Sequence, residues 1–141
     1  MLQLALRHTC YTRGMDLDIG IFLAAAEAIL DIDADRLARV TKIPAAESAL
    51  AAPFASFGGH DFYEHPVQRA AILASRIMRN HPLPDGNKRV ALILMRVYLA
   101  DHGWQFSASA QEIDRMFRGV AGREHTEDYF IAWVCSRTER A

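Results

Sequence analysis

Residues 66–102, PVQRAAILASRIMRNHPLPDGNKRVALILMRVYLADH, hold two helical patterns separated by a short polar loop, His81 to Gly86. In the first, Val67, Ala70, Ala71, Ala74, Ile77 and Met78 recur at i, i+3, i+4 and i+7, the spacing of one helix face. Pro66 stands where a proline suits a helix best, at its first position. The second pattern runs from Asn87 to about His102 and is apolar nearly all round, from Val90 through Leu99, which predicts a helix at the centre of the core. The β-branched residues at its start would suit a strand, but its length and the glycine stop at Gly103 favour a helix. Its longest apolar run, Val90 to Ala100, is broken by Arg96 and falls well short of the roughly 20 residues that cross a bilayer.

Upstream, Asp16 precedes a segment from Leu17 to Leu30 in which Ile19, Phe22, Leu23 and Ala26 repeat at helical spacing, so Asp16 is expected to cap a first helix. Two shorter pieces, Asp35 to Val40 and Ala45 to Ala51, are expected to end at Pro44 and Pro53, because proline disfavours helix at the residue before it. From Phe54 to Tyr63 the helical period disappears. The adjacent glycines Gly58 and Gly59, set between aromatics, predict a turn or short hairpin.

Downstream, Trp104 to Phe106 reads as extended. Ser109 with Glu112 forms a capping box ahead of Ile113, Met116, Phe117 and Val120. Thr126 opens a last helix whose first-turn acids, Glu127 and Asp128, complement the helix dipole and which carries Phe130, Trp133 and Val134. No repeat or interdomain linker is visible. The fold expected is all-α: one domain over residues 1–141, a bundle of about six helices with a short hairpin.

The chain has 141 residues, 51% of them apolar, enough for one compact core. Sixteen basic against seventeen acidic residues leave a net charge of −1, so no bulk field draws it to nucleic acid or anionic lipid. Any anion must therefore bind locally. Cys10 and Cys135 lie far apart in no ligand-spaced pattern, and the apolar start, Met1 to Arg7, lacks the parts of a secretory leader. A reduced, cytoplasmic protein is expected.

The loop between the two central helices concentrates His81, Asp85, Asn87, Lys88 and Arg89 around Gly86. A helix start offers free backbone N–H groups and a positive dipole end to an anion such as phosphate. Gly86 would let that anion approach the backbone, Asn87 can cap the helix, and Lys88 and Arg89 supply a point charge and a planar fork. Each residue alone also has a plain structural reading, as a turn, a cap or a solvated first turn. Together they break a local rule: cations in a first turn oppose the dipole unless an anion is present. Asp85 adds a hard oxygen of the kind Mg²⁺ takes, and His81 can act as a general base near neutral pH. The spacing is not that of a P-loop, which needs G-x-x-x-x-G-K-[ST].

His81-Pro82-Leu83-Pro84-Asp85-Gly86-Asn87-Lys88-Arg89 resembles the signature loop of the Fic/Doc (death-on-curing) family, in its Doc branch. Glu47-Ser48-Ala49-Leu50, Pro53, Phe57-Gly58-Gly59, Tyr98 and Gly103 extend the likeness over roughly residues 47–106. The resemblance implies a helical bundle that binds ATP and Mg²⁺. His81 would be the base for a target hydroxyl, Asp85 the metal ligand, and Gly86, Asn87, Lys88 and Arg89 the phosphate site. Phe57, Gly58 and Gly59 would lie on the flap that aligns the target's backbone.

Lys88 stands where AMP-transferring Fic proteins carry glycine, which implies the Doc-type reaction: phosphate transfer from ATP to a Ser/Thr hydroxyl of a protein, with elongation factor Tu as the target the family suggests. AMP transfer is the alternative. Leu83 replaces the family's phenylalanine, which implies a looser loop anchor, and Val90 replaces a threonine. No [ST]-x-x-x-E-[GN] inhibitory motif is present, so the toxin of a toxin–antitoxin pair, held by a separate antitoxin protein, is implied, with no direct nucleic-acid or membrane partner. Two readings from other classes remain: a metal-dependent phosphohydrolase of the HD type built on His60, Asp61 and His65, and a helical module that only binds a partner.

Overall fold

A computed structural model describes residues 16–141 of the chain. The apolar start and Cys10 lie outside the described residues. Seven α-helices are present among those described: α1 (Ile19–Leu30), α2 (Ala34–Val40), α3 (Ile43–Ala51), α4 (Pro66–Asn80), α5 (Asn87–Asp101), α6 (Ala110–Ala121) and α7 (Glu127–Ser136). Two antiparallel ribbons complete them: β1 (Ser56–Phe57) with β2 (His60–Asp61), and β3 (Trp104–Phe106) with β4 (Thr138–Arg140). The fold is all-α, as expected. None of the described helices is long and apolar enough to cross a membrane.

The central pair is α4 and α5, which pack on each other more extensively than any other two elements. The α4 stripe is buried as its period requires, from Val67 through Met78. His65 caps this helix: its Nδ1 accepts the Val67 N–H at 3.1 Å, and Gln68 reaches back to the His65 N–H. On α5 the burial is one-sided rather than all round. Val90, Ala91, Leu94, Met95, Tyr98 and Leu99 face the core, whereas Arg96 and Ala100 are exposed.

Two of these expectations are corrected. The first helix starts two residues late, with Asp18 and not Asp16 as its cap; the Asp18 carboxylate accepts the Ile21 N–H at 2.9 Å. Pro44 does not end a helix but lies in the first turn of α3, where its missing N–H leaves nothing unsatisfied. The chain after α7, for which the sequence carries no expectation, forms a strand, β4, paired antiparallel with β3.

The glycine turn is a hairpin as read. Gly58 and Gly59 have φ of 59° and 80°, the two positive values that the tightest hairpin turn needs. Arg69, near the start of α4, grips this hairpin. Its Nη2 meets the Asp61 carboxylate at 3.1 Å, its Nε donates to the Tyr63 carbonyl at 2.8 Å, and its guanidinium lies 5.4 Å from the centre of the Phe54 ring.

Candidate active site

The loop between α4 and α5 is shaped by three local features. His81 ends α4 in the left-handed region, φ 51° and ψ 55°, a conformation uncommon for residues other than glycine. Leu83, only 1% exposed, plugs the loop into the core, so the anchor is retained with leucine in place of phenylalanine. Gly86 turns the chain into α5 with φ 85°, and a Cβ there would lie 2.4 Å from a Leu30 methyl carbon. The left-handed backbone, with the Leu30 side chain of α1 packed against it, is therefore a sufficient structural reason for this glycine.

Neighbouring elements hold the loop from both sides. The Lys42 N–H donates to the Pro82 carbonyl at 2.8 Å, and the Asn80 amide donates to the Ala45 carbonyl at 3.1 Å. On the other flank Glu127, in the first turn of α7, accepts from Ser75 Oγ and from two nitrogens of Arg76. Burial pushes the Glu127 carboxyl up. The hydrogen bonds from Arg76 and Ser75 and the charges of Arg76 and Arg79 outweigh that, and hold it below the ordinary carboxylate range.

A cleft of about 200 Å³ opens beside the loop, lined by Met78, His81, Asp85, Gly86, Asn87, Lys88, Arg89 and Ala121. All six polar-motif positions named from the sequence thus line one cavity. His81, Asp85, Lys88 and Arg89 are exposed at its walls, whereas Asn87 is 5% exposed. The α5 backbone N–H groups of Asn87, Lys88 and Arg89 have no acceptor among the described residues, because the first intrahelical bond of α5 is Val90 N–H to the Gly86 carbonyl. An oxyanion in the cleft would meet three such donors plus two cations. One Asp85 oxygen accepts the Gly86 N–H at 2.8 Å. Arg89 donates to the Ile29 carbonyl at 3.0 Å, which places its guanidinium at the rim between α1 and α5.

Asn87 departs from the capping role read for it. Gly86 is the cap and Asn87 the first helical residue, with its side chain turned back under the loop. Its Oδ1 accepts the Leu83 N–H at 3.0 Å, and its Nδ2 lies 2.9 Å from the Leu83 carbonyl and 3.1 Å from His81 Nδ1.

A second hollow of about 430 Å³ shares Lys88 and Arg89 with the first and continues over Leu92, Arg96, Ile113, Asp114 and Phe117. Beyond Lys88 and Arg89, nothing in the sequence pattern marks these residues as more than core or surface. Arg96 carried the only hint, as a cation interrupting an apolar helix.

Phe57, Gly58 and Gly59 are not in either hollow. The hairpin is attached at the N-terminal end of α4, and the fifteen residues of that helix rise roughly 22 Å to His81. Phe57 is 80% exposed there and Phe62 63%. The HD reading finds no centre: Asp61 pairs with Arg69 on a hairpin strand, and no group of three His, Cys, Asp or Glu among the described residues could hold a metal ion.

The family model described as the Fic/DOC family matches residues 17–99, more than half of the 141 residues and the part that contains this cleft loop and both central helices. The chain belongs to the Fic/DOC family. It is also 38% identical over 89 residues to a protein named Toxin Doc from Mycolicibacterium smegmatis (strain ATCC 700084 / mc(2)155), a match that covers 61% of this chain and 68% of that one. No solved structure gives a match. The Fic/DOC match ends at Leu99, so α6 and α7, which supply Ala121 and the Glu127 network, lie beyond it.

Proposed function

We propose that the chain is a toxin-type transferase that moves the terminal phosphate of ATP to a Ser/Thr hydroxyl of a protein target. The observation that carries this reading is the convergence of His81, Asp85, Lys88 and Arg89 on one cleft at an open helix start. Three unclaimed backbone donors, an ammonium and a guanidinium suit a polyphosphate better than any neutral ligand. The name of the mycobacterial relative supports the toxin role.

In this reading the phosphates lie against the N–H groups of Asn87, Lys88 and Arg89, with the Lys88 side chain over them and Arg89 closing the rim. Gly86 keeps the helix start open. His81 handles the proton of the target hydroxyl. Asp85 lines the cleft, spends one carboxylate oxygen on the Gly86 N–H and has no salt bridge among the described residues, which fits a Mg²⁺ held by one carboxylate and the phosphates themselves. Such an ion would neutralise phosphate charge. The exposed hairpin, with Phe57, Gly58 and Gly59, docks the target away from the cleft, within the span of an ordinary protein interface.

Lys88 favours phosphate over AMP transfer, because a lysine side chain would fill the backbone anion pocket that a glycine leaves open and would offer its charge further out. The target that the family likeness suggests is elongation factor Tu, and the regulator a separate antitoxin protein. A direct test is growth on induced expression. Arrest by the native chain and none by a folded His81→Ala variant supports the reading, whereas arrest by both overturns it.

A further inference from the structure

Asn87 carries one amide whose orientation is fixed by the backbone it touches. The Leu83 N–H can donate only to Oδ1, and the Leu83 carbonyl can accept only from Nδ2. Turning the amide over would set N–H against N–H and oxygen against oxygen. Nδ2 therefore faces His81 Nδ1, at 3.1 Å, with its second hydrogen. A ring nitrogen that accepts this hydrogen carries none of its own, so the proton of the neutral imidazole is on Nε2.

We propose that Asn87 is a positioning residue that acts through His81, holding its neutral ring in the Nε2–H form, so that the nucleotide-free site presents a hydrogen-bond donor to the cleft. A phosphate oxygen is the partner this donor suits. A hydroxyl proton has no place on Nε2 in this form. For Nε2 to accept it, the ring must first move its proton to Nδ1, where Nδ1–H would point at the Asn87 N–H. Relief of that opposition requires the amide to leave Nδ1 or to give up both Leu83 bonds. Base competence at His81 is thus coupled to a change at Asn87, buried beneath the same loop that would hold the phosphates. The side chain that the motif offers as a phosphate ligand instead controls which ring nitrogen is basic, and its backbone N–H remains for the anion. The tautomer stands on geometry alone, whereas its use in catalysis rests on the phosphotransfer reading.

The test is ¹⁵N NMR of the full chain without nucleotide, reading His81 from its carbon-bound ring protons at a pH where the ring is neutral. The native chain is expected to show a protonated Nε2 and a bare Nδ1. In Asn87→Asp, whose carboxylate accepts from Nδ1–H, the proton is expected to move to Nδ1. In Asn87→Ala the tautomer ratio is expected to shift about fivefold towards Nδ1–H, the factor that one net hydrogen bond is worth.

Should the Asn87 variants fail to fold, His81→Ala serves, since His81 is exposed. One Asn87 side-chain amide proton is then expected to lose its protection from exchange, while the one held by Leu83 keeps it. A native ring protonated on Nδ1, or an Asn87 amide indifferent to loss of His81, overturns the proposal. Phosphate transfer found alongside an Nδ1–H ring would sink this inference and leave the function standing; the reverse pair of results would do the opposite.

Discussion

Glu127, in the first turn of α7, receives two hydrogen bonds from Arg76 of α4, at 2.8 and 3.1 Å, and a third from Ser75 Oγ at 2.7 Å. The sequence marks this acid only as a favourable charge at a helix start. In the fold it fastens α7 to the helix that ends at His81. Glu127→Gln keeps the shape but removes the charge, and is expected to cost about 2 kcal/mol in chemical denaturation, as for charge-assisted bonds in partly buried sites. The folded carboxyl titrates below its unfolded value, so its contribution is complete at neutral pH and fades as the pH falls through the acidic range where the folded Glu127 takes up its proton. The variant should lose that slope. An unchanged slope would show that Glu127 is not the group responsible.

How far the sequence could be read follows from the length of each signal. The α4 and α5 patterns extend over four turns, so both helices and their ends were legible, and so was the α4 face, whereas the near-continuous apolar run of α5 hid which of its sides faces out. The loop stood out because its charged residues gather at a helix start where first-turn cations oppose the dipole. Asp16 and Asp18 are equally good caps, and only packing of the helix decides between them. β4 has three residues and no alternation, so nothing local announces it. Ala121 reaches the cleft from the end of α6, a contact between distant segments that carries no pattern of its own. Asn87 is the instructive case. Its residue type suits a cap, a phosphate ligand or a brace for the loop, and only the cap is excluded by its place as the first residue of α5, with its side chain on the Leu83 backbone.

Gly86→Ala tests the turn into α5. A Cβ at φ 85° is strained by about 1–2 kcal/mol, and the Leu30 side chain must move away from it. A loss of stability of that size is expected, with a smaller loss when Leu30→Ala is already present. Equal losses in the two backgrounds would mean that Leu30 does not press on the glycine.

Leu83→Ala empties a site that is 1% exposed, and should cost about 2–5 kcal/mol in thermal or denaturant unfolding. Leu83→Phe restores the residue usual in the family but adds bulk to a closed site. About 1–3 kcal/mol of destabilisation is expected unless the loop relaxes. A stabilised Leu83→Phe variant would reveal a void that the packing does not show.

Arg69→Ala should release the hairpin while leaving the bundle intact. An exposed ion pair and a cation–π contact are each worth about 1 kcal/mol or less, so global stability should change little. Hydrogen exchange at the Phe62 amide, which donates to the Ala55 carbonyl, should accelerate. Burial already pushes the Tyr98 hydroxyl up, and Arg69 opposes that through a hydrogen bond and its charge. Its removal should therefore move the tyrosine titration still higher. Unaltered exchange at Phe62 would mean that the hairpin holds itself.

The central claim is that the cleft beside His81 transfers the terminal phosphate of ATP to a protein. The purified chain, incubated with Mg²⁺ and a bacterial extract in parallel with γ-labelled and α-labelled ATP, measures this directly. A protein band labelled from the γ position alone, and absent with His81→Ala, is the expected result. Label arriving from the α position, or no labelled protein from either, would contradict it.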